Sequence, residues 1–110
     1  MHRYAIEGLL RDASVGKRVL LFAAQSGAKE TLNQAVVLVE DVSSVYRINR
    51  ANGCESVEFA NGGRLRIIST SHAARGHEAD VVYAEGWNDL SERQREDIAY
   101  AAIRGELVRS

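Results

Sequence analysis

The stretch "KRVLLFAA" at residues 17–24 restricts the fold more than any other part of the chain. From Val19 to Ala24 it is apolar without a break and rich in β-prone residue types, so a strand made from it is buried on both faces. A strand of that kind belongs inside a sheet that carries helices on its faces.

The surrounding sequence supplies those helices. From His2 to Ala13 the apolar residues Ile6, Leu9, Leu10 and Ala13 follow the spacing of a short amphipathic helix. "SVG" at 14–16 ends it. After the strand, Ser26 is placed to cap a second helix near 27–41, with Leu32, Ala35, Val36 and Val39 on one face. The period then changes. "VYRINR" alternates Tyr46 and Ile48 against Arg47 and Asn49. "ESVEF" sets Val57 and Phe59 against Glu58, and "RLRIIST" sets Leu65 and Ile67 against Arg64 and Arg66. Joined by "ANG" and "ANGG", these segments predict an antiparallel meander with tight turns. "ADVVYAE" at 79–85 is a further strand whose Val-Val-Tyr centre suits an inner position. Ser91 and Gln94 form a capping box that opens a third helix reaching about Arg104. The expected fold is a single α/β domain over residues 1–110, a mixed sheet of about five strands with one antiparallel meander and three helices.

Composition narrows the function classes. Fourteen basic and fifteen acidic residues give a net charge of −1, which argues against bulk polyanion binding but leaves room for a local basic patch. The one cysteine, Cys54, excludes an internal disulfide and fits a reducing compartment. No apolar run approaches the roughly 20 residues that span a bilayer, and "MHRYAIEGLLRDA" has no signal-peptide core, so a cytoplasmic location is expected.

The chemistry-bearing candidates are few. "SVGKRV" lacks the first glycine and the hydroxyl of a phosphate-cradling loop and leads into a strand, so it reads as a helix stop. His72, His77, Glu78 and Asp80 in "SHAARGHEAD" match no standard zinc spacing; no metal and no cofactor is expected. In the same loop Arg75 precedes Gly76 and suits a phosphate contact. In the meander, Arg47, Arg50, Arg64 and Arg66 can share a solvent face and track nucleic-acid phosphates, with Glu55 and Glu58 offsetting them. Cross-strand ion pairing is the simpler explanation, and no aromatic ladder accompanies them. Cys54 stands beside Glu55, which disfavours its thiolate. No Gly-x-Ser-x-Gly elbow exists, and no catalytic residue is assigned. Trp87 is expected to cover an edge of the core.

Taken in order, these segments resemble the ATPase core of phage terminase large subunits, over about Ala5 to Arg104. "KRVLLFAAQSG" is similar to that family's strand and polar turn after its phosphate-loop helix. "VYRINRANGCESVEFANGGRLRIIST" resembles its hairpin, and "AARGHEADVVYAEG" its Arg-Gly loop and acidic strand. "LSERQRED" looks like the start of its following helix. A second, local resemblance links "STSHAARGHEADVVY" to a loop in the second motor domain of superfamily-one helicases. "IAYAAIRGEL" faintly resembles their later arginine motif, without its threonine.

The departures from the terminase pattern carry the functional expectation. The family's phosphate loop precedes its first helix, and no counterpart stands ahead of the first helix here. Where the family's acidic strand ends in an Asp that holds magnesium and a Glu that orients the attacking water, this chain has Glu85 and Gly86. The resemblance therefore implies a domain without ATP hydrolysis, an accessory or regulatory protein-binding module. It also implies a sheet lacking the strand before its first helix, whose open edge suits a homodimer or a phage or host ATPase partner. A DNA-binding remnant using Arg47, Arg64, Arg66 and Arg75, or an ATPase completed by another chain, are the alternatives.

Overall fold

The computed structural model describes residues 3–23, 27–51, 53, 55–69 and 79–109. The apolar run forms β1 (Arg18–Ala23), with Val19 to Ala23 all buried. Before it comes α1 (Arg3–Ser14), which buries Ile6, Leu9, Leu10 and Ala13, the stripe that the spacing predicts. After it come α2 (Ala28–Leu38), a single 3₁₀ turn at Val42–Ser44, and the three strands β2 (Val45–Asn49), β3 (Ser56–Phe59) and β4 (Arg64–Ser69). The chain then forms β5 (Val81–Ala84), a 3₁₀ turn at Trp87–Asp89, α3 (Glu92–Ala101) and β6 (Glu106–Arg109).

One six-stranded sheet runs in the order β2-β3-β4-β1-β5-β6. β2, β3 and β4 are antiparallel neighbours, whereas β4, β1, β5 and β6 are mutually parallel. The fold is thus an α/β sheet with one antiparallel meander. It has one strand more than expected, because β6 follows α3 as a short parallel edge strand. β5 takes the inner position that its Val-Val-Tyr centre suits, between β1 and β6.

Alternation along the strands sorts side chains to two faces. On one, Val57, Leu65, Val19 and Val81 lie in register across β3, β4, β1 and β5. They pack with α1 and α2 into the larger core, around Leu21, Leu32, Ala35 and Ile67. On the other, Leu20, Phe22, Ile68, Val82 and Ala84 form a second core with Ile98, Ala101 and Ala102 at the C-terminal end of α3. Trp87 packs partly buried against it, as a cover for its edge.

Turn chemistry fixes the joints. Gly63 precedes β4 where an added Cβ would meet the Ala13 carbonyl oxygen, so only glycine lets α1 and β4 approach this closely. The Ser91 hydroxyl accepts from the Gln94 N–H (3.1 Å) and Gln94 accepts from the Ser91 N–H (2.8 Å), completing the capping box. The cap expected from Ser26 lies outside the described residues; the residue before α2 is Gly27, which makes no side-chain cap. Both later helices are shorter than their patterns suggest, α2 ending at Leu38 and α3 at Ala101.

β2 also departs from simple alternation. Its register shifts between Val45 and Arg47, leaving Tyr46 as the extra residue of a bulge and 75% exposed. Val45, opposite Phe59, is the residue that turns to the larger core instead.

Candidate functional site

Two places on the second face of the sheet hold the residues singled out from the sequence. The first is the meander half. The register runs Arg47–Glu58–Arg64–Arg18 across β2, β3, β4 and β1, so these side chains form one row on one face. The next row on that face is Asn49–Ser56–Arg66–Leu20. Arg47, Arg64 and Arg66 are therefore brought onto one face, Arg47 two strand spacings (about 10 Å) from Arg64 and Arg66 two residues along β4 from it.

Their partners differ. Arg47 pairs with Glu58 at 3.8 Å, the cross-strand pairing that their positions predict. Arg18 is held by Asp80, whose Oδ2 accepts from the Arg18 backbone N–H (2.8 Å) and whose Oδ1 lies 3.4 Å from the guanidinium. These contacts, the backbone bond foremost, draw the Asp80 carboxyl below its ordinary 3.8. Asp80 thus fastens the start of β5 to β1. Among the described residues no ion pair reaches Arg64 or Arg66, and both are half-buried. The Arg66 Nε is fully buried and makes no hydrogen bond, the only such side-chain atom among the described residues.

Two expectations for this face need correction. Arg50 leaves it: its guanidinium donates to Asn33 on α2 at 2.7 Å. Glu55 does not offset the arginines either. It precedes β3, is 3% exposed, and its carboxylate accepts from the Gly53 N–H at 3.0 Å. Strand alternation turns it away from Glu58.

The second place is the C-terminal end of β5, where the resemblance puts an acidic pair. Glu85 follows the strand and donates its backbone N–H to the Phe22 carbonyl at 3.0 Å. Gly86 comes next in the left-handed region (φ 67°), a conformation that side chains other than glycine rarely adopt. The chain then turns into Trp87, whose ring has two guanidiniums over it, Arg95 at 5.8 Å and Arg109 at 5.5 Å from the ring centre. Arg95 also donates to the carbonyls of Trp87 and Asn88, each at 2.9 Å. This clamp ties the end of β5 to α3 and β6. Sequence reasoning missed it, because three residues from three elements meet with no shared spacing.

Arg75, with His72 and His77, lies outside the described residues. Arg104 of the helicase-like segment is exposed in the turn from α3 to β6. Among the described residues no group of three His, Cys, Asp or Glu side chains is placed to hold a metal ion. Nor is any of their helices long and apolar enough to cross a membrane. Compared with family models, curated proteins and solved structures, the chain finds no match in any of the three.

Proposed function

We propose that this chain is a non-catalytic, terminase-like domain that works by binding another protein, as an accessory or regulatory module of a phage or host motor. The observation that carries this reading is the Glu85–Gly86 corner at the end of β5. Phosphoryl transfer depends on positioned groups, among them one that orients the attacking nucleophile. The residue at that place has no side chain and a backbone of φ 67° that opposes acquiring one. An added Cβ there would meet only the Asp89 carboxylate, at 3.9 Å, so the backbone conformation rather than crowding sets the residue type.

The sheet also ends in two strands, β2 and β6, each paired on one side only among the described residues. An edge strand offers unpaired backbone groups to a strand from another chain. β6 is the better candidate for such pairing. It has no bulge, and its Leu107 and Val108 are half-buried between the exposed Glu106 and Arg109.

The test has two arms. Phosphate release from ATP is expected to equal that of a Glu85→Ala control; turnover above that control sinks the non-catalytic reading. Sedimentation equilibrium over a concentration series is expected to show association that weakens when Leu107 and Val108 are replaced by lysine. A strict monomer at the highest concentration removes the self-pairing form of the proposal.

A further inference from the structure

The meander half of the second face is polar and positively charged, with Arg47 exposed, Arg64 and Arg66 half-buried and Ser56 buried between them, while α3 packs on the other half. We infer that this strip is the docking surface for an acidic amphipathic helix of a partner protein, seated beside α3. The inference rests on the protein-binding reading above and names the surface and the partner's chemistry.

Charge is the first argument. Arg47, Arg64 and Arg66 face one acid, Glu58, which leaves an excess of two positive charges on a chain whose net charge is −1. Arg47 already has Glu58 within 3.8 Å, so Arg64 and Arg66 are the two guanidiniums ready to take carboxylates. A planar guanidinium takes a carboxylate through two parallel bonds, stronger than a neutral hydrogen bond. The buried, unbonded Nε of Arg66 shows that this side chain has given up part of its hydration without gaining a partner.

Dimensions are the second argument. From β2 to β4 the strip is about 10 Å wide, at roughly 4.8 Å per strand. An α-helix with its side chains is about 10–12 Å across. Arg64 and Arg66 sit two residues apart on one strand, about 6.7 Å. Carboxylates at i and i+4 of a helix are offset by about 6 Å along its axis, which matches.

Nucleic acid fits less well. Duplex DNA presents a charge about every 1.7 Å, and proteins that track it neutralise many phosphates. Here Glu58 stands within the row, the positive strip ends at Asp80, and the one exposed aromatic beside it, Tyr46, is a single ring on a bulge.

The test measures fluorescence anisotropy of a labelled helical peptide with glutamates at i and i+4 on one face, at low ionic strength. The intact chain is expected to bind it, with affinity falling as salt is added. Arg64→Gln/Arg66→Gln is expected to lower affinity by at least about tenfold, as loss of two charge-assisted contacts requires. Arg64→Lys/Arg66→Lys should lie between. Because Arg66 is half-buried, Arg64→Gln alone serves as a second variant, and far-UV circular dichroism checks that each is folded. No binding, or binding that ignores these substitutions, overturns the inference. Tighter arginine-dependent binding of a duplex DNA than of the peptide overturns it in favour of a nucleic-acid surface. Edge association through Leu107 and Val108 is read separately, so its survival would leave the protein-binding reading standing without this surface.

Discussion

One row of residues crosses the second face of the sheet from edge to edge: Asn49, Ser56, Arg66, Leu20, Val82 and Leu107. On β2, β3 and β4 it is polar; on β1, β5 and β6 it is apolar. The cause is the type of connection. A parallel pair needs a crossover, and the crossover from β5 to β6 brings α3, which buries its half of the face. Antiparallel strands join by short connections, and among the described residues no helix is inserted between β2, β3 and β4. The same two halves share the first face under α1 and α2, where both are apolar. Side-chain character therefore tracks what the connections deliver, and β4 shows it within one strand: Arg64 and Arg66 are half-buried on the meander side, Ile68 is 6% exposed within the second core.

The largest expected effect breaks the covered half. Phe22 is 1% exposed and stands in the middle of the second core. Phe22→Ala removes a full aromatic side chain and leaves a cavity between the sheet and α3, which costs about 3–5 kcal/mol. Urea unfolding monitored by far-UV circular dichroism measures it. A loss below about 1 kcal/mol would mean that α3 collapses into the space or contributes little to this face.

On the open half, replacement of a row residue by an apolar one of similar length has a different expected outcome. Arg66→Met keeps an unbranched stem on β4 while removing the buried, unbonded Nε. Unfolding free energy is expected to stay level or rise by up to about 1 kcal/mol, since removing an unsatisfied buried group removes its desolvation cost. A clear loss of stability would show that Arg66 makes a contribution which this geometry does not reveal, and would weaken the contrast between the halves.

Much of this contrast is written in local sequence, and the exceptions have identifiable causes. The doubly buried β1, the Asn61–Gly62 turn of the meander, the α1 stripe and the Ser91–Gln94 cap follow from residue type and spacing alone. The grouping of Arg47, Arg64 and Arg66 follows too, once alternation is granted. β6 does not. Ile98, Ala101 and Ala102 continue a helical pattern that extends naturally past Arg104, and the chain leaves it at a glycine required by a distant contact. An added Cβ at Gly105 would lie 2.4 Å from the Asp80 carbonyl oxygen and 2.6 Å from that of Ala79. The Tyr46 bulge is hidden for a similar reason: simple alternation groups Tyr46 with Ile48, and only pairing with Phe59 selects Val45 as the inward residue. Glu55 and Arg50 depart from the arginine face because their side chains bond to Gly53 and Asn33, contacts that strand periodicity does not address.

The smallest effect lies at the boundary between the halves, where Asp80 holds Arg18. The Asp80 carboxyl is below its ordinary 3.8 in the folded chain, chiefly through the Arg18 backbone N–H and then its guanidinium. A depressed folded pKa contributes stability that is complete above the unfolded value and is lost as pH falls through the folded one. The window is therefore acidic, below about pH 4. Both side chains are nearly half exposed, 46% and 45%, so the contribution belongs with surface pairs, under about 1 kcal/mol. Asp80→Asn should lower the unfolding free energy by that small amount near neutrality, with the gap closing on acid titration. A gap that stays constant with pH would assign the loss to packing instead. The same substitution frees Arg18, which stands in register beside Arg64, to extend the positive row onto β1. Affinity for the acidic helical peptide should then rise by a few-fold at most, in the range of one partly exposed charge contact. Unchanged affinity would place the edge of the docking strip at β4.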